Sequence, residues 1–565
     1  PPWGFGGWGS SLGVGAPMRL WSMFNFGDDL LFAERDGEIY YWAVDTVNWS
    51  PAITLKEKAN ATTKSKTFAT FASGSTTIVV QDATFINTGS IIAGSGIPAG
   101  TYVTETWNGG VSLTLSAPTT SSGTLTAITS SYSGRHIPND VFIIVDSPVN
   151  NFVIAIGSNP YNPRNFNEPF NPMLVRWTTQ DNAYEWVPEI TNQSGETTLS
   201  HGSFLVTAIS TRQEIVIFSN TAVYSMQYLG PPFIWGVNLL DQDITIASQN
   251  AVTTINNVVY WMGMDKFFIY TGRVETLPCE VRQYVFGNIN KDQMAQVMCG
   301  SIESFNEVWW FYPSAESPVN DRYVVYNYVE NCWTYGTMYR SAFAEHSMRG
   351  YPLIAFSVQN SYLSNDVLAT DTTIALLNAT SYPRSGVIQV GSEKIHYSSI
   401  TDNALNGCIR GYGGTIATSH PAYTAASFET PNQVMLHEYG NDDNANGYPA
   451  PISAYVETSD FDIGDGHNFG FVWRIIPDLK FVGSTGSSPS VTLTVKPRQN
   501  SGSNYTSGDS PTVTRTATFP VEQYTGQVYT RVRGRQMSFR VSSQELGVAW
   551  QMGAMRIDTR PDGRR

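Results

Sequence analysis

Apolar residues in this chain come in short bursts broken by Gly, Asn, Asp and Ser, not at sustained helical spacing. That pattern predicts strands and tight turns. The run RLWSMFNFGDDLLFAERDGEIYYWAVD predicts an early strand set, with LLFA and IYYWAV as strands and FGDD and RDGE as turns. From about residue 138 the rhythm returns in VFIIVDS, FVIAIG, LVRWTTQD and FLVTAISTRQEIVIFSNTAVYSMQYLG. VTTINNVVYWMGMDKFFIYTGRVETLP, then NEVWWFYPSA and DRYVVYNYVENCW, continue it. These segments share one skeleton: apolar strand, turn, aromatic strand, polar hairpin, further strand. Each has the form of an antiparallel meander of about 40–50 residues, and radial repetition of such units gives a β-propeller. A two-sheet sandwich is the alternative arrangement. One short helix is expected at NKDQMAQVM, starting near Asn290 or Lys291.

Two stretches break the rhythm. Residues 67–131 are almost devoid of Lys, Arg and Glu and rich in Thr, Ser and Gly, which predicts a small inserted β domain. Residues 362–428 form a second such island. The segments beside it, FAEHSMRGYPLIAF and NQVMLHEYG, read as partner strands of one interrupted meander. The expected organisation is therefore all-β. An N-terminal arm spans 1–17, and a propeller core spans 18–66, 132–361 and 429–450. Two inserts lie at 67–131 and 362–428, and a C-terminal antiparallel β domain covers 451–565. Alternation is plain in SVTLTVKPR and QMSFRVSS of that last domain.

Composition sharpens this picture. Of 565 residues, 41% are hydrophobic and only 14% charged, against roughly 25% charged in an average soluble protein. The 15 Trp, 29 Tyr and 28 Phe supply large anchors for sheet cores or subunit contacts. Trp309, Trp310, Phe311 and Tyr312 are expected in the core. Lys and Arg number 33 against 47 Asp and Glu, a formal charge of −14. Nucleic-acid grip needs a basic patch. The sole basic cluster is Arg531, Arg533, Arg535, Arg540, Arg556, Arg560, Arg564 and Arg565. Acidity elsewhere suits a conduit that DNA slides through without sticking, and equally suits plain solubility.

Cys279, Cys299, Cys332 and Cys408 are too dispersed for a CxxC metal pair or a disulfide framework and predict buried free thiols. No run of 18 apolar residues exists, so membrane insertion is not expected. The opening PPWGFGGWG lacks Met and a charged n-region; it reads as trimmed and reveals no signal peptide.

Several blocks resemble structural proteins of short-tailed bacteriophages. They are RWTTQDNAYEWVPEITNQSGETTLSHGSFLVTAISTRQEIVIFSNTAVYSMQYLGPPFIWG, VVYWMGMDKFFIYTGRVETLPCEVRQYVF, NEVWWFYPS, DRYVVYNYVENCW and the closing WQMGAMRIDTRPDGRR. As a set they resemble the tail nozzle (tail tubular protein B-like) family, which is built on a β-propeller. The resemblance implies a virion protein assembled in the host bacterial cytoplasm. It implies a homo-hexameric ring below the portal and adaptor, neighbouring tail fibres or spikes, that retains and conducts double-stranded DNA during ejection without binding it specifically. The island segment YPRSGVIQVGSEKIHYSSI…GCIRGYGGTIATSHPAYTAASF resembles a small module recurrent in phage structural proteins; SGIPAGTYV and VSLTLSAP resemble another decoration.

Candidate chemistry is sparse. The sequence holds no GxxxxGK[ST] loop, no HExxH and no strand–GxSxG–helix elbow. His136, His201, His346, His396, His420, His437 and His467 are scattered singly. Asp442, Asn444, Asn446 and Gly447 match the start of a calcium loop, but Ser453 stands where its bidentate Glu belongs, so a turn is the better reading. Asp460, Asp462 and Asp465 read as a polar hairpin tip. A glycosidase needs two opposed carboxylates, and the sequence singles out no pair. No enzyme activity and no catalytic, cofactor or metal residue is therefore expected. The competing readings are a receptor-binding tail protein and an envelope-degrading glycan hydrolase.

Overall fold

The computed structural model describes residues 19–44, 50–107, 111–147, 149–315, 317–345, 350–358, 360–429, 432–443, 449–463, 466–507, 510–514 and 516–563. The arm expected at 1–17 lies outside them. The chain divides into two compact units, 1–345 and 346–565.

Among the described residues of the first unit, five meanders of four strands each keep chain order in space, and every neighbouring pair is antiparallel. The first comprises Trp21–Phe26, Asp29–Glu34, Ile39–Trp42 and Ile53–Thr54. The second comprises Val141–Ser147, Phe152–Ser158, Asn171–Trp177 and Gly195–Thr198. The third runs Leu205–Ser210, Glu214–Ser219, Ala222–Gly230 and Ile234–Gln242. The fourth runs Val252–Ile255, Val258–Met262, Phe267–Tyr270 and Val274–Leu277; the fifth runs Met298–Ile302, Glu307–Tyr312, Arg322–Asn327 and Cys332–Thr337. The opening strand of each meander lies against the opening strand of the next. This is propeller-like blade packing, and the all-β class expected from the sequence is the class found.

Blade packing explains why the second strands of the second to fifth meanders read as near-continuous apolar runs. Every residue of Phe152–Ser158 is buried, and so are five of the six in Glu307–Tyr312. A strand covered on both faces has no polar side to show. The cores accordingly lie between sheets. Phe152, Ile154, Ile217 and Tyr224 join the second and third meanders; Phe218, Trp261, Phe267, Trp310 and Tyr326 join the third, fourth and fifth. Polar groups reinforce the frame. Arg35, in the turn after Asp29–Glu34, donates to the Val206 carbonyl at 3.1 Å and to Gln249 Oε1 at 3.3 Å, with its guanidinium 4.0 Å from the Phe142 ring centroid.

A six-stranded sheet with strands from Thr63–Phe71 to Gly123–Ser131 stands between the first two meanders. It has its own core around Ile78, Ile92, Val103, Leu113 and Ile128. Immediately before it, Leu55–Ala61 forms an α-helix that the strand-based reading did not anticipate. The Thr54 hydroxyl accepts from the Glu57 N–H and the Glu57 carboxylate accepts from the Thr54 N–H, a reciprocal cap.

The helix expected at NKDQMAQVM is corrected. Lys291–Gln296 is a 3-10 segment interrupted at Gln293, where φ is −112°, while the α-helical turn falls earlier, at Arg282–Phe286. The Asn290 side chain does accept from the Asp292 N–H, so the start signal was real, but propagation fails.

In the second unit, Leu353–Ser357 pairs antiparallel with Asn432–Leu436, although the residues between them form sheets of their own. Those sheets include Gly386–Val390, Glu393–Tyr397 and Ala425–Phe428 in one, and Thr373–Ala375, Ser399–Thr401 and Ala404–Asn406 in the other. Beyond residue 450, a sheet of Ala454–Glu457, Gln536–Ser543, Ser490–Arg498 and Ala517–Glu522 shares a core with a three-stranded sheet of Val528–Gly534, Gly470–Ile476 and Arg556–Pro561.

Candidate interaction face

The three-stranded sheet of the C-terminal domain sorts its side chains by alternation. Val472, Ile475, Val528 and Val532 point into the shared core. The opposite face carries Phe471, Trp473 and Arg474 on the central strand, Tyr529, Arg531 and Arg533 on one side, and Arg556, Asp558 and Arg560 on the other. Phe471 sits level with both Arg533 and Arg560, and Arg474 with both Tyr529 and Asp558. A register shift at Trp473 against both neighbours adds twist there.

Arginine and aromatic groups interleave on this face. Trp473 is flanked by the guanidinium carbons of Arg474 at 4.8 Å and Arg560 at 4.9 Å from its ring centroid. The Tyr529 ring lies 6.2 Å away, stacked, and Tyr529 is 61% exposed. At the rim Arg533 lies 4.0 Å and Arg535 4.7 Å from the Phe469 ring centroid. A guanidinium against a ring face keeps its charge and most of its donors while losing part of its water. Arg474 pairs with Asp558 and Arg533 with Asp562. Arg531 and Arg556 are exposed, and among the described residues neither has a carboxylate within ion-pair reach. The face thus presents cationic forks toward solvent between rigid rings, and its three strands contain no Lys.

The basic cluster expected from sequence is therefore only partly gathered. Arg531, Arg533, Arg556 and Arg560 share the face, and Arg535 joins its rim. Arg540 belongs to the other sheet, 4.0 Å from the Tyr455 ring centroid and 3.4 Å from Glu457. Arg564 and Arg565 lie outside the described residues. Phe471, Trp473 and Tyr529 went unnoticed; their signal was the two-residue alternation of GFVWRII and VYTRVRG.

Asp442, Asp460 and Asp462 have structural partners. Asp460 accepts from Tyr505 Oη at 2.8 Å and pairs with Arg498 at 2.6 Å; Asp462 accepts from Gln536 Nε2 at 2.9 Å. Asp442 accepts from the Gly547 N–H at 2.7 Å. Asn444, Asn446, Gly447, Asp465 and His346 lie outside the described residues. Cys279, Cys299 and Cys408 are at least half-buried, and burial pushes the Cys279 and Cys408 thiols up to about 11. Cys332 departs from the expectation of buried thiols. It opens the outermost strand of the fifth meander and is exposed.

Buried carboxylates are answered by cations. Glu393, on Glu393–Tyr397, is fully buried; it accepts from Arg410 Nε and Nη2, both at 2.8 Å, from the Gly411 and Thr418 N–H groups at 3.0 and 3.1 Å, and lies 2.8 Å from His420 Nε2. Burial raises its pKa, but the Arg410 guanidinium and the other donors outweigh that and hold it at about 2. Hollows among the described residues include two shallow ones. One of about 260 Å³ is bordered by Phe461, Ile463 and Phe539 of the C-terminal domain, and one of about 230 Å³ by Ser200, His201 and Asp243.

No protein-family model matches the sequence, and no curated protein does. Among solved structures, the chain is similar to an exo-β-1,3-galactanase from Phanerochaete chrysosporium (10% identity, 95% of each chain, TM-score 0.25). It is similar to the WD40 domain of SCAP from fission yeast (10% identity, 73% of this chain and 96% of that one, TM-score 0.24). It is also similar to apo AztD from Citrobacter koseri (11% identity, 70% and 98%, TM-score 0.23).

Proposed function

We propose that this chain is a structural protein of a bacteriophage short tail. Six copies form a nozzle ring below the portal and adaptor, which retains the genome and conducts it during ejection. The observation that carries the reading is the blade frame itself: five meanders with their opening strands side by side and their cores between sheets. Such a frame resists deformation because bending one blade breaks packing on both of its faces. A ring that contains pressurised DNA needs that stiffness. The blocks that resemble phage tail proteins fall on these same strands, from Asn171–Trp177 to Cys332–Thr337, and on Arg556–Pro561. A formal charge of −14 suits a channel through which DNA slides.

The test is subunit count by mass photometry of the purified full chain, with no nucleotide or metal added, alongside an assay for glycan release. Six copies without hydrolysis support the nozzle. Three copies favour a receptor-binding spike, and a monomer that releases sugar favours an envelope hydrolase.

A further inference from the structure

Charge is divided unevenly along this chain. Residues 1–345 carry 16 Lys and Arg against 29 Asp and Glu, whereas residues 346–565 carry 17 against 18. Nearly all the net negative charge belongs to the first unit, and the arginine-rich face belongs to the C-terminal domain of the second. We infer that the Arg531–Trp473–Arg556 face is a subunit contact that receives the acidic 1–345 unit of a second copy. This inference rests on the ring reading above and supplies it with a specific joint.

Three observations select a protein partner over a phosphodiester. The cations of the face are all arginines, four of them set against Phe469 or Trp473, and Arg with aromatic groups marks buried protein contacts, where Lys is depleted. Asp558 and Asp562 are interleaved with the arginines and would oppose a phosphate backbone, whereas a protein surface can meet both signs. Finally, the complementary charge is already present, in excess, on the other unit of the same chain. A basic patch meeting a different, acidic patch is a heterologous contact, the kind that generates a closed ring when the rotation closes. Arg531 and Arg556, which lack carboxylate partners among the described residues, are the groups this contact would pair.

The experiment compares the wild-type full chain with Arg531→Glu/Arg556→Glu and with Lys480→Glu, an exposed charge reversal outside the three strands. Assembly is read by mass photometry at about 0.05 and 0.5 M salt, with thermal melts to confirm folding and a labelled DNA duplex to read nucleic-acid binding. Wild type should assemble, and more weakly at high salt. The double reversal should weaken association at least about tenfold at an unchanged melting temperature, while Lys480→Glu should assemble normally. If the double variant fails to fold, the salt dependence of wild type and an Arg531→Gln/Arg556→Gln variant decide the matter. Undiminished assembly of the folded double variant, or equal weakening by Lys480→Glu, overturns the inference and leaves the ring standing. Arginine-dependent capture of the duplex with assembly intact overturns it in favour of a nucleic-acid surface. A wild type that never assembles removes the ring reading itself.

Discussion

Lys64 Nζ lies 2.5 Å from Glu185 Oε2, with both side chains buried. Lys64 lies on the first strand of the six-stranded insert and Glu185 follows the third strand of the second meander, so this buried ion pair ties insert to frame. Removing one partner of such a pair strands a charge away from water. Lys64→Met should cost about 3–5 kcal/mol, and Lys64→Met/Glu185→Leu should recover most of it. Calorimetric melting of the two variants checks this, and equal losses would show that packing, not charge, sets the cost.

The Glu393–Arg410–His420 cluster predicts acid sensitivity in the segment around it. Glu393 ionises well below an ordinary carboxylate, so its stabilising effect is complete above about pH 4.5 and is lost as pH falls toward about 2. Hydrogen exchange of Gly386–Val390 and Glu393–Tyr397 should accelerate over that window. Glu393→Gln leaves Arg410 buried without its counter-charge and should destabilise the segment by about 3–5 kcal/mol already at pH 7.

A second pH response belongs to His136. It is buried against Tyr161 and Phe166, and burial with the nearby Arg176 guanidinium holds its pKa at about 4. The unfolded chain takes up a proton near pH 6.5, so stability should fall as pH drops from about 6.5 toward 4. His136→Gln should flatten that slope in urea titrations at stepped pH; an unchanged slope would assign the response to other groups.

Trp310 is fully buried, donates from Nε1 to the Ala251 carbonyl at 3.2 Å and packs 4.9 Å from the Phe267 ring centroid. It therefore joins the fourth and fifth meanders. Trp310→Ala should cost about 3–5 kcal/mol and broaden the melting transition if blades begin to unfold separately. Trp310→Phe should cost about 0.5–1.5 kcal/mol for the lost hydrogen bond, because the Ala251 carbonyl still accepts from the Met262 N–H at 3.1 Å.

What the sequence revealed followed from period and composition. LLFA and IYYWAV lie on Asp29–Glu34 and Ile39–Trp42, and Trp309 to Tyr312 are buried on Glu307–Tyr312. Strands covered on both faces announce themselves as apolar runs. Short helices do not, because fewer than two turns show no period: Leu55–Ala61 was detectable only through its Thr54–Glu57 cap. The interaction face was half legible. Arginine clustering was visible, but Arg540 and Arg531 differ in sheet, which only the fold decides. Lys64 with Glu185, and Glu393 with Arg410, meet through tertiary structure and leave no local trace.

Electron cryomicroscopy of the intact particle that carries this chain tests the central claim most directly. The account predicts six copies around the channel below the portal, with blade sheets enclosing the path of the DNA. Density for the chain in threes at the tips of fibres, or no density in the tail at all, would contradict it.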